Sequence, residues 1–107
     1  MVYFYQEFAT EKYMQFEWDE NKNKLNQQKH GVAFEDAKTV FDDPLQISKL
    51  DQRFSYFEER WITIGATQNA HILVVANLFF TDDGEEIIRI ISARYANPEE
   101  RANYEKC

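Results

Sequence analysis

The chain has 107 residues, of which 44% are hydrophobic and 16% aromatic, with three glycines and two prolines. This composition excludes collagen-like, low-complexity and wholly disordered chains, and the length suits a single domain over residues 1–107. The formal net charge is −7, from 12 basic and 19 acidic side chains, and an acidic chain is not a typical binder of nucleic acid.

The single cysteine, Cys107, is the last residue, so it can form neither an internal disulfide nor a zinc site. This cysteine usage is typical of a reducing compartment, and we expect the protein to act in the cytoplasm. Glu7 and Glu11 interrupt the apolar start of the chain, which argues against a signal peptide. The most apolar run, residues 72–80, is too short for a membrane helix, so we expect no membrane association.

The first 14 residues are rich in aromatic side chains but show no sustained period. We interpret them as an N-terminal extension that packs on the domain or on a second chain. A short helix is one interpretation of this extension, because Phe4 and Phe8 stand at helical spacing. Residues 15–18 alternate and predict a short strand with Phe16 and Trp18 on one face.

Two helices are predicted next. The first takes Asp19 as its N-cap, runs to His30 and ends at Gly31. It is mostly polar, and Leu25 is its one clearly apolar residue, so a narrow stripe around Leu25 is expected to face the core. The second helix covers residues 34–41, where apolar side chains recur at helical spacing.

The remaining chain predicts an antiparallel meander followed by a helix. Strands are expected at residues 45–50, 58–67, 71–81 and 86–93. Asn97 and Pro98 are typical N-cap and first residues of a helix that reaches about Tyr104. The predicted fold class is therefore α+β, with two N-terminal helices packed on a four- to five-stranded antiparallel sheet and a short C-terminal helix.

Common enzyme signatures are missing from the sequence, which has no glycine-rich phosphate loop, no histidine pair at metal spacing and no nucleophile elbow. We therefore expect neither a metal nor a cofactor. Polar side chains instead lie at the ends of the predicted elements. Metal-free cleavage of a phosphodiester needs a cation for the phosphoryl charge, for which Arg60 and Arg94 are candidates. It also needs a proton-transfer group, for which the candidates are His30, Glu59 and Lys29.

The same residues have structural interpretations. Lys29 and His30 can simply satisfy the last turn of their helix. Arg94 can pair with Glu99 or Glu100 and hold the last helix in place.

The last strand contains two arginines, Arg89 and Arg94. By strict alternation, Ser92 and Arg94 share one face, and Arg89 lies on the other with Ile91 and Ala93. Arg89 can also pair with an acidic neighbour.

Several short sequence blocks occur along the chain in a distinctive order. They are Phe16–Glu17–Trp18–Asp19–Glu20, then Lys22, Asn26 and the run from Lys29 to Phe34, and later Glu59–Arg60, Ile64–Gly65, the run from Arg89 to Arg94, Arg101 and Tyr104. In this order the blocks resemble the BrnT toxin family, also called the domain-of-unknown-function 497 family. The resemblance covers most of a toxin domain assigned to residues 15–105.

The resemblance implies a fold similar to RelE-type ribonucleases and a toxin of a type II toxin–antitoxin pair that cleaves RNA and stops translation. It implies a BrnA-like antitoxin with a ribbon-helix-helix part, so that DNA is contacted only through the toxin–antitoxin complex. Association with a second copy of the chain stays open.

The resemblance places Lys29, His30, Arg60 and Arg94 at motif positions that line the RNA site. From it and from the residues themselves we predict a metal-independent endoribonuclease with two sets of site residues. The catalytic set is His30, Glu59, Arg60 and Arg94, and the RNA-binding set is Lys22, Lys29, Arg89 and Arg101. Their charges predict a small positive patch near Lys29, Arg60 and Arg94 on an otherwise negative surface.

An alternative function is a catalytically weak toxin relative that serves as an interaction module for an antitoxin-like DNA-binding partner. The stretch after Arg94 carries Glu99 and Glu100 where this family often has basic residues, which favours that alternative.

Overall fold

Six strands and three α-helices make up the part of the chain that the structure describes. The computed structural model describes residues 2–7, 13–53 and 58–106, with side chains from residue 15 onward. In chain order the elements are β1 (Val2–Glu7), β2 (Tyr13–Trp18), α1 (Glu20–His30), α2 (Phe34–Ala37), a 3₁₀ helix (Lys38–Asp42), β3 (Ile47–Leu50), β4 (Trp61–Ala66), β5 (Ile72–Asp82), β6 (Glu85–Tyr95) and α3 (Pro98–Glu105).

The strands form one mixed sheet in the order β1-β2-β6-β5-β4-β3. Neighbouring strands are antiparallel except β2 and β6, which run parallel. The α+β class is confirmed, and the sheet is wider than the four to five antiparallel strands expected. The helical interpretation of the N-terminal segment is wrong for residues 2–7, which pair residue by residue with β2, while Phe8 lies outside the described residues.

The hydrophobic core lies between one face of the sheet, here called the core face, and the layer formed by α2 and the 3₁₀ helix. Phe34, Ala37, Val40 and Phe41 are all buried, as their spacing predicted, although the helix changes from α to 3₁₀ geometry after Ala37. The Phe34 ring meets Trp18 of β2 edge to face, with ring centroids 6.0 Å apart. Burial of these aromatic rings contributes to the apolar contact between the layers.

Helix α1 begins and ends as predicted but buries different residues. The Asp19 side chain accepts hydrogen bonds from the first-turn backbone, and Gly31 adopts the left-handed conformation, with φ of 70°. Leu25 is 63% exposed, so the expected stripe around it is wrong. The buried residues of α1 are Asn23 and Asn26, which makes this a helix held by hydrogen bonds instead of apolar packing.

Asn26 completes the edge of β6. Its Nδ2 donates to the carbonyls of Val32 and Ala93, both at 2.8 Å, and its Oδ1 accepts from the Ala93 N–H at 3.1 Å. Strand β2 pairs with β6 only as far as Glu17 opposite Arg89, so among the described residues β6 has no strand on that side beyond this point. The Asn26 amide therefore supplies Ala93 with the donor and acceptor that a neighbouring strand would present.

A second asparagine fastens the chain that follows α1. The Asn23 Oδ1 accepts a hydrogen bond of 2.9 Å from the buried Phe34 N–H, at the start of α2. The two asparagines thus connect α1 both to the sheet and to the next helix.

A β-bulge in β6 changes which of its side chains point to each face of the sheet. Ala76 of β5 pairs with Ser92 and Asn77 pairs with Ile90, which leaves Ile91 without a partner. Side chains on the two sides of the bulge therefore change faces relative to strict alternation.

As a result Arg89 and Arg94 lie on the same face, opposite the core face and here called the second face. Ile90 and Ala93, which strict alternation would separate, both lie in the core. The expectation that Arg89 and Arg94 occupy opposite faces is wrong for this reason.

The C-terminal helix α3 lies on the second face. Its predicted start is confirmed, because Asn97 and Glu100 form a reciprocal capping box with Pro98 in the first turn. Within the described residues, no helix is long and apolar enough to cross a membrane.

Replacing Asn26 with alanine is expected to lower the free energy of unfolding by roughly 2–3 kcal/mol, because the Ala93 N–H and two carbonyls would lose their partner in a buried place. Gln28→Ala, at an exposed position on the same helix, is the matched control. Urea unfolding measures both variants. Equal stability of the two would contradict the bridging role of Asn26.

Candidate functional site

The predicted site residues fall into two groups at opposite ends of the second face and its edge. Arg94 lies near the end of β6, towards which the last turn of α1 lies. Glu59, Arg60 and Arg89 lie towards the other end, where β4 begins. The sheet register explains this separation.

The first group forms because α1 runs beside β6. The helix starts where β2 ends, beside Arg89, and its Asn26 side chain reaches Ala93, four residues further along β6. His30 follows Asn26 by one helical turn, a rise of about 6 Å, and Arg94 follows Ala93. The last turn of α1, with exposed Lys29 and half-buried His30, therefore lies towards the end of β6 that carries Arg94.

Arg94 is held by the C-terminal helix. Its Nη1 and Nη2 donate to Oε1 and Oε2 of Glu100, both at 2.8 Å, and Nη1 also approaches the Tyr95 carbonyl at 3.3 Å. These hydrogen bonds raise the pKa of Arg94 and lower the pKa of Glu100 to about 2. The structural interpretation, in which Arg94 pairs with an α3 glutamate and holds that helix, is confirmed for Glu100.

Glu59 and Arg89 of the second group line a cleft of about 330 Å³. Its lining residues are Glu58, Glu59, Leu78, Phe79, Phe80 and Arg89. The Arg89 Nε donates to Oε1 of Glu17 at 2.6 Å, and its guanidinium lies 5.5 Å from the centre of the Phe80 ring. Glu17 is only 1% exposed, so the acidic partner expected for Arg89 is a buried residue of the neighbouring parallel strand.

Arg60 extends the sheet just before β4. Its carbonyl accepts from the Asp51 N–H at 2.7 Å, which continues the β3–β4 ladder by one residue. Ile64, which aligns through Val74 with Arg94, lies four residues later, or about 13 Å along the strand. The expected single patch of Lys29, Arg60 and Arg94 is therefore divided between the two ends of the sheet.

The remaining predicted RNA-binding residues are on helix surfaces. Lys22 is exposed in the first turn of α1, and Arg101 is exposed on α3. Lys22, Lys24 and Lys29 make no ion pair within the described residues, and no acidic residue lies between Asn21 and Phe34. The exposed side of α1 is therefore positively charged, in a chain whose net charge is −7.

Sequence reasoning missed the roles of Asn23 and Asn26 in placing α1 and did not single out Glu17 as the partner of Arg89. A pattern was present for the asparagines, because they stand three residues apart in a helix with almost no apolar residue. No local pattern identifies Glu17, because its contact with Arg89 spans 72 positions. In the described ranges, no cluster of three or more His, Cys, Asp or Glu residues could hold a metal ion.

Comparison with known proteins gives two similarities. Residues 18–100 match the family model described as the ribonuclease toxin BrnT of a type II toxin–antitoxin system. The chain is also similar to the crystal structure of the Brucella abortus ribonuclease toxin BrnT, with 27% sequence identity and a TM-score of 0.50 over 75% of this chain and 92% of that one. No curated protein matches the chain.

The Arg94–Glu100 pair predicts an acid dependence of stability. The folded-state pKa of Glu100 is depressed to about 2 from an ordinary 4.5, so its stabilising effect is fully present above pH 4.5 and is lost as the pH falls towards 2. Urea unfolding between pH 6 and 2.5 should therefore show a steeper loss for the natural chain than for Glu100→Gln. Parallel loss in the two proteins would show that the pair does not contribute.

Proposed function

The chain belongs to the BrnT family of ribonuclease toxins of type II toxin–antitoxin systems, and on this premise we propose that it cleaves RNA without a metal ion and thereby inhibits translation. The observation that supports the proposal is the attachment of α1 to β6 by the hydrogen bonds between Asn26 and Ala93, which places the last turn of α1, with Lys29 and His30, towards the end of β6 that carries Arg94. A cation and a proton-transfer group are the two components that such a reaction requires.

In the proposed reaction the ribose 2′-hydroxyl attacks the adjacent phosphorus. His30 accepts the hydroxyl proton as the O–P bond forms, since imidazole is the most frequent general base in enzymes. Arg94, assisted by the charge of Lys29, stabilises the negative charge of the pentacoordinate phosphorane. The bond from phosphorus to the 5′-oxygen then breaks and this oxygen takes up a proton from solvent, while His30 returns its proton to solvent; the products are a 2′,3′-cyclic phosphate and a 5′-hydroxyl.

We assign the other predicted residues to binding along the RNA. Lys22 extends the positive surface of α1, and Arg101 lies on α3 beyond Glu100. Arg89, Glu59 and Arg60, at the far end of the second face, are too distant from Arg94 to act on the same phosphate. We therefore propose that the Arg89 end contacts RNA away from the scissile bond, and that Glu59 and Arg60 support binding there instead of catalysis.

Membership of a type II family implies an antitoxin partner. We propose a BrnA-like ribbon-helix-helix antitoxin as that partner, with DNA bound only through the complex, and the cytoplasm as the place of action.

A specific observation favours the interaction module as a second candidate function. Arg89 and Arg94 each donate to a glutamate, Glu17 and Glu100, which reduces the positive charge that they present to a phosphate. A chain that binds its antitoxin but leaves RNA intact would be explained by these pairs.

The purified protein is expected to cut single-stranded RNA in the presence of EDTA and to leave 2′,3′-cyclic phosphate ends. His30→Ala is expected to lower kcat by roughly 10²–10⁴-fold, the usual contribution of a general base. His71→Ala is the matched control, because His71 is exposed at the start of β5 and contacts Tyr95 through its ring. Gel analysis and end-group labelling of the products measure the reaction.

Cleavage that stops in EDTA and returns with Mg²⁺ would contradict the metal-independent mechanism. Equal loss of activity in the two histidine variants would contradict the role of His30. RNA left intact by a folded chain that still co-purifies with the protein of the neighbouring reading frame would replace this function with the interaction module.

A further inference from the structure

Helix α3 is attached to the second face by polar contacts at its two ends. Near its start, Glu100 holds Arg94 through two hydrogen bonds. Near its end, the Tyr104 hydroxyl donates to the Asp43 carboxylate, and this hydrogen bond raises the pKa of Tyr104 to about 12. The helix buries none of its residues.

Side chains do not completely fill the space between α3 and the sheet. A groove of about 140 Å³ separates Asn103 and Tyr104 from an apolar floor that includes Ile62, Ile64 and Val74. A helix of eight residues is not stable alone in water and depends on its contacts with the rest of the chain. The two polar contacts therefore contribute to the attachment, and breaking either one should loosen α3.

Glu100 occupies the two Nη groups of Arg94 with which an RNA phosphate would form hydrogen bonds. A guanidinium presents two parallel N–H groups that match the oxygen spacing of a carboxylate and of a phosphate equally well. Both Nη atoms of Arg94 are engaged by the two Glu100 oxygens at 2.8 Å. A phosphate that binds Arg94 in the same bidentate way must displace Glu100.

We propose that α3 is an autoinhibitory latch, in which Glu100 competes with the RNA phosphate for Arg94 and so lowers the affinity of the chain for RNA. The proposal rests on the proposed function, since it requires Arg94 to bind the substrate. Substrate binding then includes the exchange of one anionic partner of Arg94 for another. Release of the latch leaves the glutamate in solvent and the guanidinium on the phosphate.

The charge of Glu100 can be removed by a substitution that keeps the hydrogen bonds of the capping box at the start of α3. Glu100 Oε1 also accepts from the Asn97 N–H at 2.9 Å, and Asn97 Oδ1 accepts from the Glu100 N–H at 2.8 Å. Glutamine serves in a capping box as glutamate does, so Glu100→Gln keeps the start of α3 and weakens only the ion pair. Glu99→Gln is the matched control, because it changes the net charge equally from the adjacent exposed position.

The test measures binding of a single-stranded RNA whose attacking 2′-hydroxyl is replaced by hydrogen, so that it does not depend on cleavage. Glu100→Gln is expected to tighten binding about 3- to 10-fold relative to Glu99→Gln, the range for a partly exposed charged hydrogen-bond pair. The slope of log affinity against log salt should steepen by about 0.7, as one more phosphate contact requires. With cleavable RNA, KM should fall while kcat stays within about twofold.

Two further variants keep the test decisive. Tyr104→Phe removes the contact with Asp43 but leaves Arg94 and Glu100 in place, and a latch predicts tighter RNA binding here too. The double variant Arg94→Gln/Glu100→Gln should bind no better than Arg94→Gln alone, because the gain from Glu100→Gln acts through Arg94.

The outcomes separate the latch from the function on which it rests. Equal RNA affinity of Glu100→Gln and Glu99→Gln would overturn the latch, and so would unchanged binding by Tyr104→Phe. If Arg94→Gln still loses RNA affinity in that case, the proposed site stands without the latch. If Arg94→Gln instead binds and cuts RNA as the natural chain does, the proposed role of Arg94 fails, and the latch fails with it.

Discussion

The hydrogen bonds of one asparagine amide place the candidate site. Strand β2 leaves the sheet at Trp18, and the open edge of β6 beyond that point would leave the buried Ala93 backbone without partners. The Asn26 side chain satisfies the Ala93 N–H and carbonyl and also binds the Val32 carbonyl. This position brings the polar helix α1 alongside β6, with its last turn towards the end of the strand that carries Arg94. An apolar side chain could not do this, because the groups to be satisfied are a donor and two acceptors.

Two of the acidic side chains act locally, because each forms an ion pair with an arginine and reduces its positive charge. Glu17 and Glu100 each bind one arginine of β6, and a bulge at Ile91 puts both arginines on the same face. The lysines of α1 carry no ion pair within the described residues, so the exposed side of that helix is positively charged. A net charge of −7 is therefore compatible with a basic surface, because an RNA meets one side of the molecule and not its average.

Local patterns predicted the elements well and their contacts less well. The caps at Asp19, Gly31 and Asn97 and the apolar spacing of residues 34–41 are confirmed, because each depends on side chains within a few positions. The exposed Leu25 and the shared face of Arg89 and Arg94 were not predicted. The first depends on the geometry of a distant strand edge, and the second on one residue that leaves the ladder.

The sequence by itself determined the fold class, the family and the order of the helices and strands. The order of the elements was determined only from residue 15 onward, since β1 was not predicted. These properties depend on periodicity, on capping residues and on blocks such as Lys29–Phe34 and Arg89–Arg94, all of which are read along the chain. Only the tertiary structure decided which arginines are held in ion pairs and which distant residues come into contact. Arg89 meets Glu17 across 72 positions, and Asn26 meets Ala93 across 67. Such contacts depend on strand register and on where a strand ends, and a one-residue shift in register changes the face of every side chain that follows it.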